Sequence, residues 1–441
     1  MNRRKFLQKI GVGAAACVTA FPNIVPSAVL GKGENLAPSE RVTLGCIGVG
    51  GRGGFNMKSL LHHGAQIVAI CDVNKNRRLA NKYTIENFYA NRDGKGKYKG
   101  CATYNDFREL ISQAEIDAVM IATPDHWHVP IALEAVKYGK DIYVEKPLGM
   151  TIAECQVLRD AVKRYRVVFQ HGTEQRAMSH FRWACELIRN GRIGELEAVK
   201  VGAPGGNRTG NHKPESVPAG LDYEMWLGPA PRRPFTTACC LRNGHWFISD
   251  FAASGFIAGW GIHYMDIVQW ALDADESGPV EIEGRAVFPK DGLFDTPLTW
   301  NIDYLYANGI RVNFTDQTQN RHGIRFEGTE GWIQIARNGI EGMQPRSLYH
   351  SAIRPNEIHL YETDSDDKDF LHAVRTRGRT CSPIDAAHRS TSVCFLGNIA
   401  CLLNRKLRWD PVAELFVNNA EANRMLIRTT RTSWKGQERL L

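Results

Sequence analysis

At 441 residues with a formal net charge of +8, the chain is long enough for two domains that each bury a core. Four of the positive charges (Arg3, Arg4, Lys5 and Lys9) crowd the N-terminus, so the rest is mildly basic; no lysine/arginine stripe with interleaved aromatics occurs, which excludes a nucleic-acid partner. The 11 cysteines show no C-x-x-C spacing, so neither a disulfide framework nor a zinc site is expected, and Cys46 and Cys71 read as core residues.

The chain opens MNRRKFLQK and continues with an apolar run from Ile10 to Phe21. A twin arginine before such a run reads as a twin-arginine export leader over residues 1–31, with a periplasmic destination. The run is short for a membrane span, which needs about 20 apolar residues, so no span is expected in the mature chain. Ala14-Ala15-Ala16-Cys17 lacks the leucine of a lipobox, and a lipid anchor at Cys17 is not expected.

Residues 40–166 read as a nucleotide-binding domain. Val42 to Ile47 is a buried strand, and Gly48-Val49-Gly50-Gly51-Arg52-Gly53 follows in the spacing G-x-G-x-x-G. A helix then carries Met57, Leu60 and Leu61 inward, a second strand runs from Ala65 to Ile70, and Asp72 stands just past its end. Gly48 permits the tight turn, Gly50 lets the backbone approach a pyrophosphate, and Gly53 lets helix pack on strand. The amides that open the helix face the anion, and Asp72 is placed for the ribose 2′-hydroxyl. Asp72 therefore favours NAD over NADP by repelling a 2′-phosphate, although Arg77 and Arg78 stand close by.

The βα alternation continues. Ala118 to Ala122 is a buried strand followed by the loop Thr123-Pro124-Asp125-His126-Trp127-His128, and Asp141 to Val144 is another, ending in Glu145-Lys146-Pro147. Thr151-Ile152-Ala153-Glu154 has the pattern of a capping box. Repeated βα units imply a doubly wound parallel sheet whose strand C-termini line the ligand crevice. Gly48, Thr123 and Lys146 should thus converge on one cleft. Arg52, Pro124, His128 and Glu145 complete the candidate cofactor contacts.

From residue 167 to 441 the texture changes. Val199 and Val201 begin a strand, and four segments, Trp300 to Tyr306, Ile310 to Phe314, Ile324 to Phe326 and Trp332 to Ile335, alternate as antiparallel strands do. The expectation is an α/β substrate and oligomerisation domain on a large, mostly antiparallel open sheet. Its uncovered face needs a partner, so a homo-oligomer is expected.

Four motifs together resemble the glucose–fructose oxidoreductase and inositol dehydrogenase (Gfo/Idh/MocA) family: the glycine loop, TPDHWH at Thr123–His128, Glu145-Lys146-Pro147, and GWGIHYMDIVQW at Gly259–Trp270. QHGTEQR at Gln170–Arg176, DYEMWLGPAP at Asp222–Pro231 and RWDPVAELF at Arg408–Phe416 are similar to its exported, sugar-acting branch. The resemblance implies a Rossmann domain plus an open-sheet α/β domain, and reversible oxidation of a sugar or glycoside hydroxyl, with C3 among the candidate positions. It places Lys146 at the family's catalytic lysine, where an ammonium stabilises a developing alkoxide. His263 falls at the catalytic histidine, where an imidazole suits general-base work. Asp266, one turn on, is placed to orient that imidazole or support packing. Glu174, Arg176, Tyr223, Trp226, His245 and Trp260 are candidate sugar contacts, and no metal is implied.

One departure stands out. Many relatives carry an Asp four residues before the histidine, where this chain has Gly259. Either His263 works alone, or a substitute such as Asp125 or Asp250 enters, or the chemistry differs. Two further readings compete with the dehydrogenase. One is an NAD-dependent glycosidase acting by transient oxidation and elimination, against which the retained Lys146 counts. The other is a catalytically silent cofactor-bearing protein. Export adds a constraint, since the periplasm is not expected to supply free nicotinamide cofactor, so the cofactor should be tightly held.

Overall fold

The computed structural model describes residues 40–92 and 96–431. The expected export leader (1–31) and Cys17 lie outside them. From Val42 onward the chain forms one compact unit built on two sheets.

The first sheet has six strands: β1 (Thr43–Ile47), β2 (Gln66–Cys71), β3 (Ala102–Tyr104), β4 (Ala118–Ile121), β5 (Asp141–Val144) and β6 (Phe169–His171). Their order is β3-β2-β1-β4-β5-β6, and all pairs are parallel. The order reverses between β1 and β4, which opens a crevice at their C-terminal ends. β4 and β5 are buried on both faces, as continuous apolar runs in a covered parallel sheet should be. The sheet takes in β6, just past the segment read as the nucleotide domain.

Three helices carry motif residues. α1 (Gly51–His62) follows β1 at once; Gly50 caps it without a side-chain bond and no acid stands in its first turn, so its opening amides stay available to an anion. α2 (Ile152–Tyr165) begins at Thr151, whose hydroxyl accepts from the Glu154 amide at 3.2 Å. The reciprocal bond of that box goes from the Met150 amide to Glu154, one residue earlier than the motif implies. α3 (Ile262–Ala271) is buried on every side rather than along one stripe.

The second sheet has nine strands in the order β13-β12-β11-β7-β10-β9-β8-β14-β15. These are β7 (Leu196–Ala203), β8 (Glu281–Val287), β9 (Thr299–Leu305), β10 (Arg311–Asp316), β11 (Gly323–Gly328), β12 (Gly331–Ala336), β13 (Gly339–Gln344), β14 (Leu407–Asp410) and β15 (Leu415–Phe416). Only β7 and β10 pair in parallel; the rest are antiparallel. α3 and a long helix, α4 (Ile384–Leu403), share one core with the inner face of this sheet. The outer face is polar: Lys200 pairs with Glu327 at 3.0 Å, and Arg325 lies 3.9 Å over the Trp332 ring. The ten described cysteines are buried and free, Cys46 and Cys71 among them.

Candidate active site

The strand ends of the first sheet open into a cleft. Gly48, Gly50, Arg52, Gly53, Asp72, Thr123, Pro124, His128, Glu145 and Lys146 all line it, so the predicted cofactor contacts converge. Gly48 has φ +79°, and its amide donates to the Cys71 carbonyl at 2.8 Å, tying the turn to β2. A Cβ on Gly53 would overlap the Gly48 carbonyl oxygen, so only glycine lets α1 seat against the turn.

Asp72 is buried and accepts from the Val49 amide at 3.0 Å and the Asn74 amide at 2.8 Å. Burial pushes its carboxyl up, and those two amides oppose the push. Arg78 is committed to the Asp72 carbonyl and to Asn105, whereas the Arg77 guanidinium lies over Gly50. The hydroxyl of Thr123 is buried in this cleft without a partner among the described residues. An open helix N-terminus, an acid at the end of β2 and an unsatisfied hydroxyl between them fit a dinucleotide.

At the end of β5, Glu145 accepts from Arg52 at 2.7 Å and from Asn56 at 2.8 Å. Burial pushes its carboxyl up, but Arg52 and Lys146 outweigh this and hold it below the usual range. Lys146 Nζ donates to the Gly259 carbonyl at 2.7 Å and lies 5.8 Å from the centre of the Trp246 ring. The position that lacks its expected carboxylate thus still holds the lysine, through its backbone. A Cβ at Gly259 would meet only Phe256, at 3.8 Å, so crowding does not explain the glycine.

His263 is buried at the start of α3, with Nδ1 3.4 Å from the Thr173 carbonyl oxygen and its ring 5.9 Å from Trp260. Burial drives its pKa down, and Lys146, Arg337 and Arg52 push the same way. This corrects the expectation of an imidazole titrating near neutrality: three cations and a dry site hold the ring neutral. Nor does Asp266 orient it. Its carboxylate accepts from Arg176 at 2.8 and 2.9 Å and from Ser390 at 2.7 Å.

The sugar-contact candidates divide. Trp226 and His245 line the cleft. Arg176 does not: it is buried, with two bonds to Asp275 at 2.7 Å beside those to Asp266, so its guanidinium is committed to these two carboxylates. The expectation for Arg176 and Asp266 as sugar contacts is therefore corrected to a packing ion cluster. Glu174 is clamped between Arg52 and Arg337, and Trp260 packs between His263 and Tyr264, so neither lines the cleft. Tyr223 points its hydroxyl to the Arg233 carbonyl at 3.0 Å, inside a small separate core. Asp250 is also removed as a substitute carboxylate, because Arg233 donates to it at 2.5 Å away from the cleft. His128 is wedged between the Pro147 and Thr123 carbonyls at 2.7 and 2.9 Å, which pins the loop.

Several participants escaped sequence reading. Trp246 reaches the cleft from a distant chain position, Asn105 directly follows β3 with no motif around it, and Arg337 sits on the hairpin between β12 and β13. His171, at the end of β6, is buried with no partner for either ring nitrogen among the described residues. It is the second residue of QHGTEQR, which is the one signal for it. No group of three His, Cys, Asp or Glu among the described residues could hold a metal ion.

Comparison with known proteins agrees with this geometry. Residues 42–173 match a family model described as an oxidoreductase family NAD-binding Rossmann fold, and residues 205–436 match the oxidoreductase family C-terminal α/β domain. The chain belongs to the Gfo/Idh/MocA family. Its first domain is the NAD-binding one, so NAD is the cofactor that the cleft holds.

Among curated Gfo/Idh/MocA relatives, a glycosyl hydrolase family 109 protein of Shewanella sp. (strain ANA-3) is 34% identical over 177 residues. That match covers 37% of this chain and 37% of the relative, so the chain spans just over a third of the length of the curated relatives it matches. Solved structures share the fold. The WlbA dehydrogenase of Bordetella pertussis, in complex with NADH and UDP-GlcNAcA, superposes with TM-score 0.62 at 14% identity, covering 84% of this chain and 99% of that one. An NAD-binding protein from Listeria innocua gives TM-score 0.59 at 17% identity, over 83% and 97%.

Proposed function

We propose that the protein is an NAD-dependent oxidoreductase that oxidises a ring hydroxyl of a sugar or glycoside to a ketone. The observation that carries this reading is Lys146, held by the Gly259 carbonyl at the mouth of the dinucleotide cleft. Its ammonium is placed to hydrogen-bond a hydroxyl oxygen and to stabilise the alkoxide that develops on it. NAD, when bound, supplies the acceptor for the hydride leaving the carbon. Gly48 to Gly53 would hold its pyrophosphate and Asp72 its ribose, with the Thr123 hydroxyl beside them. His263 is kept neutral but does not line the cleft, while Trp226, Trp246 and His245 bring apolar faces suited to a sugar ring.

We read the protein as exported folded to the periplasm and as working with a resident cofactor. The polar outer face of the second sheet suits a second copy of the chain. Among the described residues no helix is long and apolar enough to cross a membrane.

A glycosidase reading draws support from the similarity to a glycosyl hydrolase family 109 protein, and one experiment separates the two. Denatured protein should release NAD(H), and the native protein given a panel of glucosides should form keto-sugar, aglycone still attached, in proportion to its bound NAD. Release of aglycone and free sugar would favour the hydrolase. NADP(H) in the released pool would overturn the role of Asp72 and point to Arg77.

A further inference from the structure

We propose that residues 220–246 form a strap that closes the dinucleotide cleft, and that NAD leaves only when this strap parts from the strand ends. The proposal rests on the resident-cofactor reading above and assigns the retention to a segment of the C-terminal domain.

The cleft has two walls. The strand ends of the first sheet make one, and the strap makes the other with Met225, Trp226, Cys240, Asn243, His245 and Trp246. The strap is anchored to three successive strand-end loops. At the end of β2, the Lys75 amide donates to the Gly220 carbonyl at 2.8 Å and the Asp222 amide to the Val73 carbonyl at 3.0 Å. Asn74 and Leu221 thereby form an antiparallel bridge. Just past β3, Asn105 Nδ2 donates to the Asp222 carboxylate at 2.8 Å. After β4, Trp127 Nε1 donates to the Met225 and Trp226 carbonyls, both at 3.1 Å, and His126 Nε2 donates to the second of these at 3.0 Å. A Cβ on Gly228 would overlap the Trp127 ring, so strap and loop are in direct contact.

The places of these anchors matter as much as their number. The Asn74 amide donates to Asp72, the acid assigned to the ribose, so the first anchor adjoins the nucleotide contact itself. At the other end, the centre of the Trp246 ring lies 5.8 Å from Lys146 Nζ. The strap thus follows the cleft from Asp72 to Lys146. It also holds together without the strand ends. Trp226, Phe235, Cys239, Cys240 and Phe251 bury one another in a small core of their own, with the Trp226 and Phe251 rings 4.8 Å apart. Such a unit parts from its neighbours by breaking a few hydrogen bonds while its own packing persists, and a ligand beneath it dissociates no faster than it opens.

Exchange of bound NAD against labelled NAD, measured on the loaded protein without turnover, tests this. As bridge partners, Asn74 and Leu221 lie within the reach of a disulfide. In the Asn74→Cys/Leu221→Cys protein, closing that disulfide with diamide should slow exchange at least about 10-fold relative to the same protein reduced, because the opening is blocked. The same treatment should leave the wild-type rate unchanged. Asp222→Ala removes the bond from Asn105 and the cap on the Met225 amide at 3.0 Å. It should speed exchange about 10-fold, the scale of one or two hydrogen bonds. Oxidised and reduced forms that exchange at one rate overturn the proposal. Where the disulfide does not close, an Asp222→Ala rate equal to that of wild type does so. Wild type that loses its NAD on a desalting column fails the resident-cofactor reading instead, and the ratio of locked to unlocked rates still decides the strap.

Discussion

The cleft of the first sheet and the wall that the second domain sets against it are built on different principles. In the cleft, function sits on backbone: a turn that only glycine makes, open helix amides, and side chains placed one or two residues past strand ends. In the wall, function sits on side chains whose surroundings come from remote segments. His263 shows the difference. Its place on α3 is local, but its charge state is set by Lys146, Arg337 and Arg52, which lie 117, 74 and 211 residues away in sequence. A motif on a strand end therefore carries its chemistry with it, whereas a motif on a buried helix does not.

The sharpest way to break that comparison is through Arg176, which lies in a sugar-like motif but is buried against Asp266 and Asp275. Arg176→Ala should lower unfolding free energy in urea by about 3–5 kcal/mol, because it strands a buried carboxylate. A stable Arg176→Ala protein with selectively weakened sugar binding would return this residue to the site and erase the distinction. On the cleft side, Lys146→Ala should keep the nucleotide bound but slow single-turnover hydride transfer about 100-fold, the scale of losing a preorganised transition-state hydrogen bond. Unchanged transfer in a folded, loaded variant would remove the lysine from the mechanism.

A smaller effect sharpens the comparison by testing what joins the two regions. Glu414, near the C-terminus, accepts from His388 at 2.6 Å, from Gln156 at 2.6 Å and from Arg159 at 3.1 Å, and so links α2 to α4. Burial pushes its carboxyl up, but these donors and Arg389 outweigh it and hold the pKa at about 2. A folded pKa below the unfolded one means stability that is present above about 4.3 and lost as pH falls toward 2. Thermal unfolding followed between those limits should show the loss, and Glu414→Gln should flatten it. An equal slope in both proteins would show that other carboxylates govern acid stability.

Much of the cleft was legible before any coordinates. Gly48, Gly53, Asp72, Thr123 and Lys146 lie at places where chain direction and strand period already decide which way a group faces, and the structure brings them together. The strands from Trp300 to Ile335 were legible for the same reason, since alternation with period two needs no tertiary information. β8 was not, because Glu281, Glu283 and Arg285 make it look like surface loop until β9 and β14 flank it. Nor was the full burial of α3, since a helix covered on all sides has no polar face to announce its orientation.

The sequence by itself determined the dinucleotide cleft, the family and the lysine at the strand end, because each rests on backbone geometry that a few adjacent residues impose. Only the tertiary structure decided the rest: that Arg176 and Asp266 neutralise each other in the core, that Asp250 is spent on Arg233, and that His263 stays neutral. Those outcomes depend on burial and on charges brought close by folding, and neither quantity exists along a one-dimensional chain.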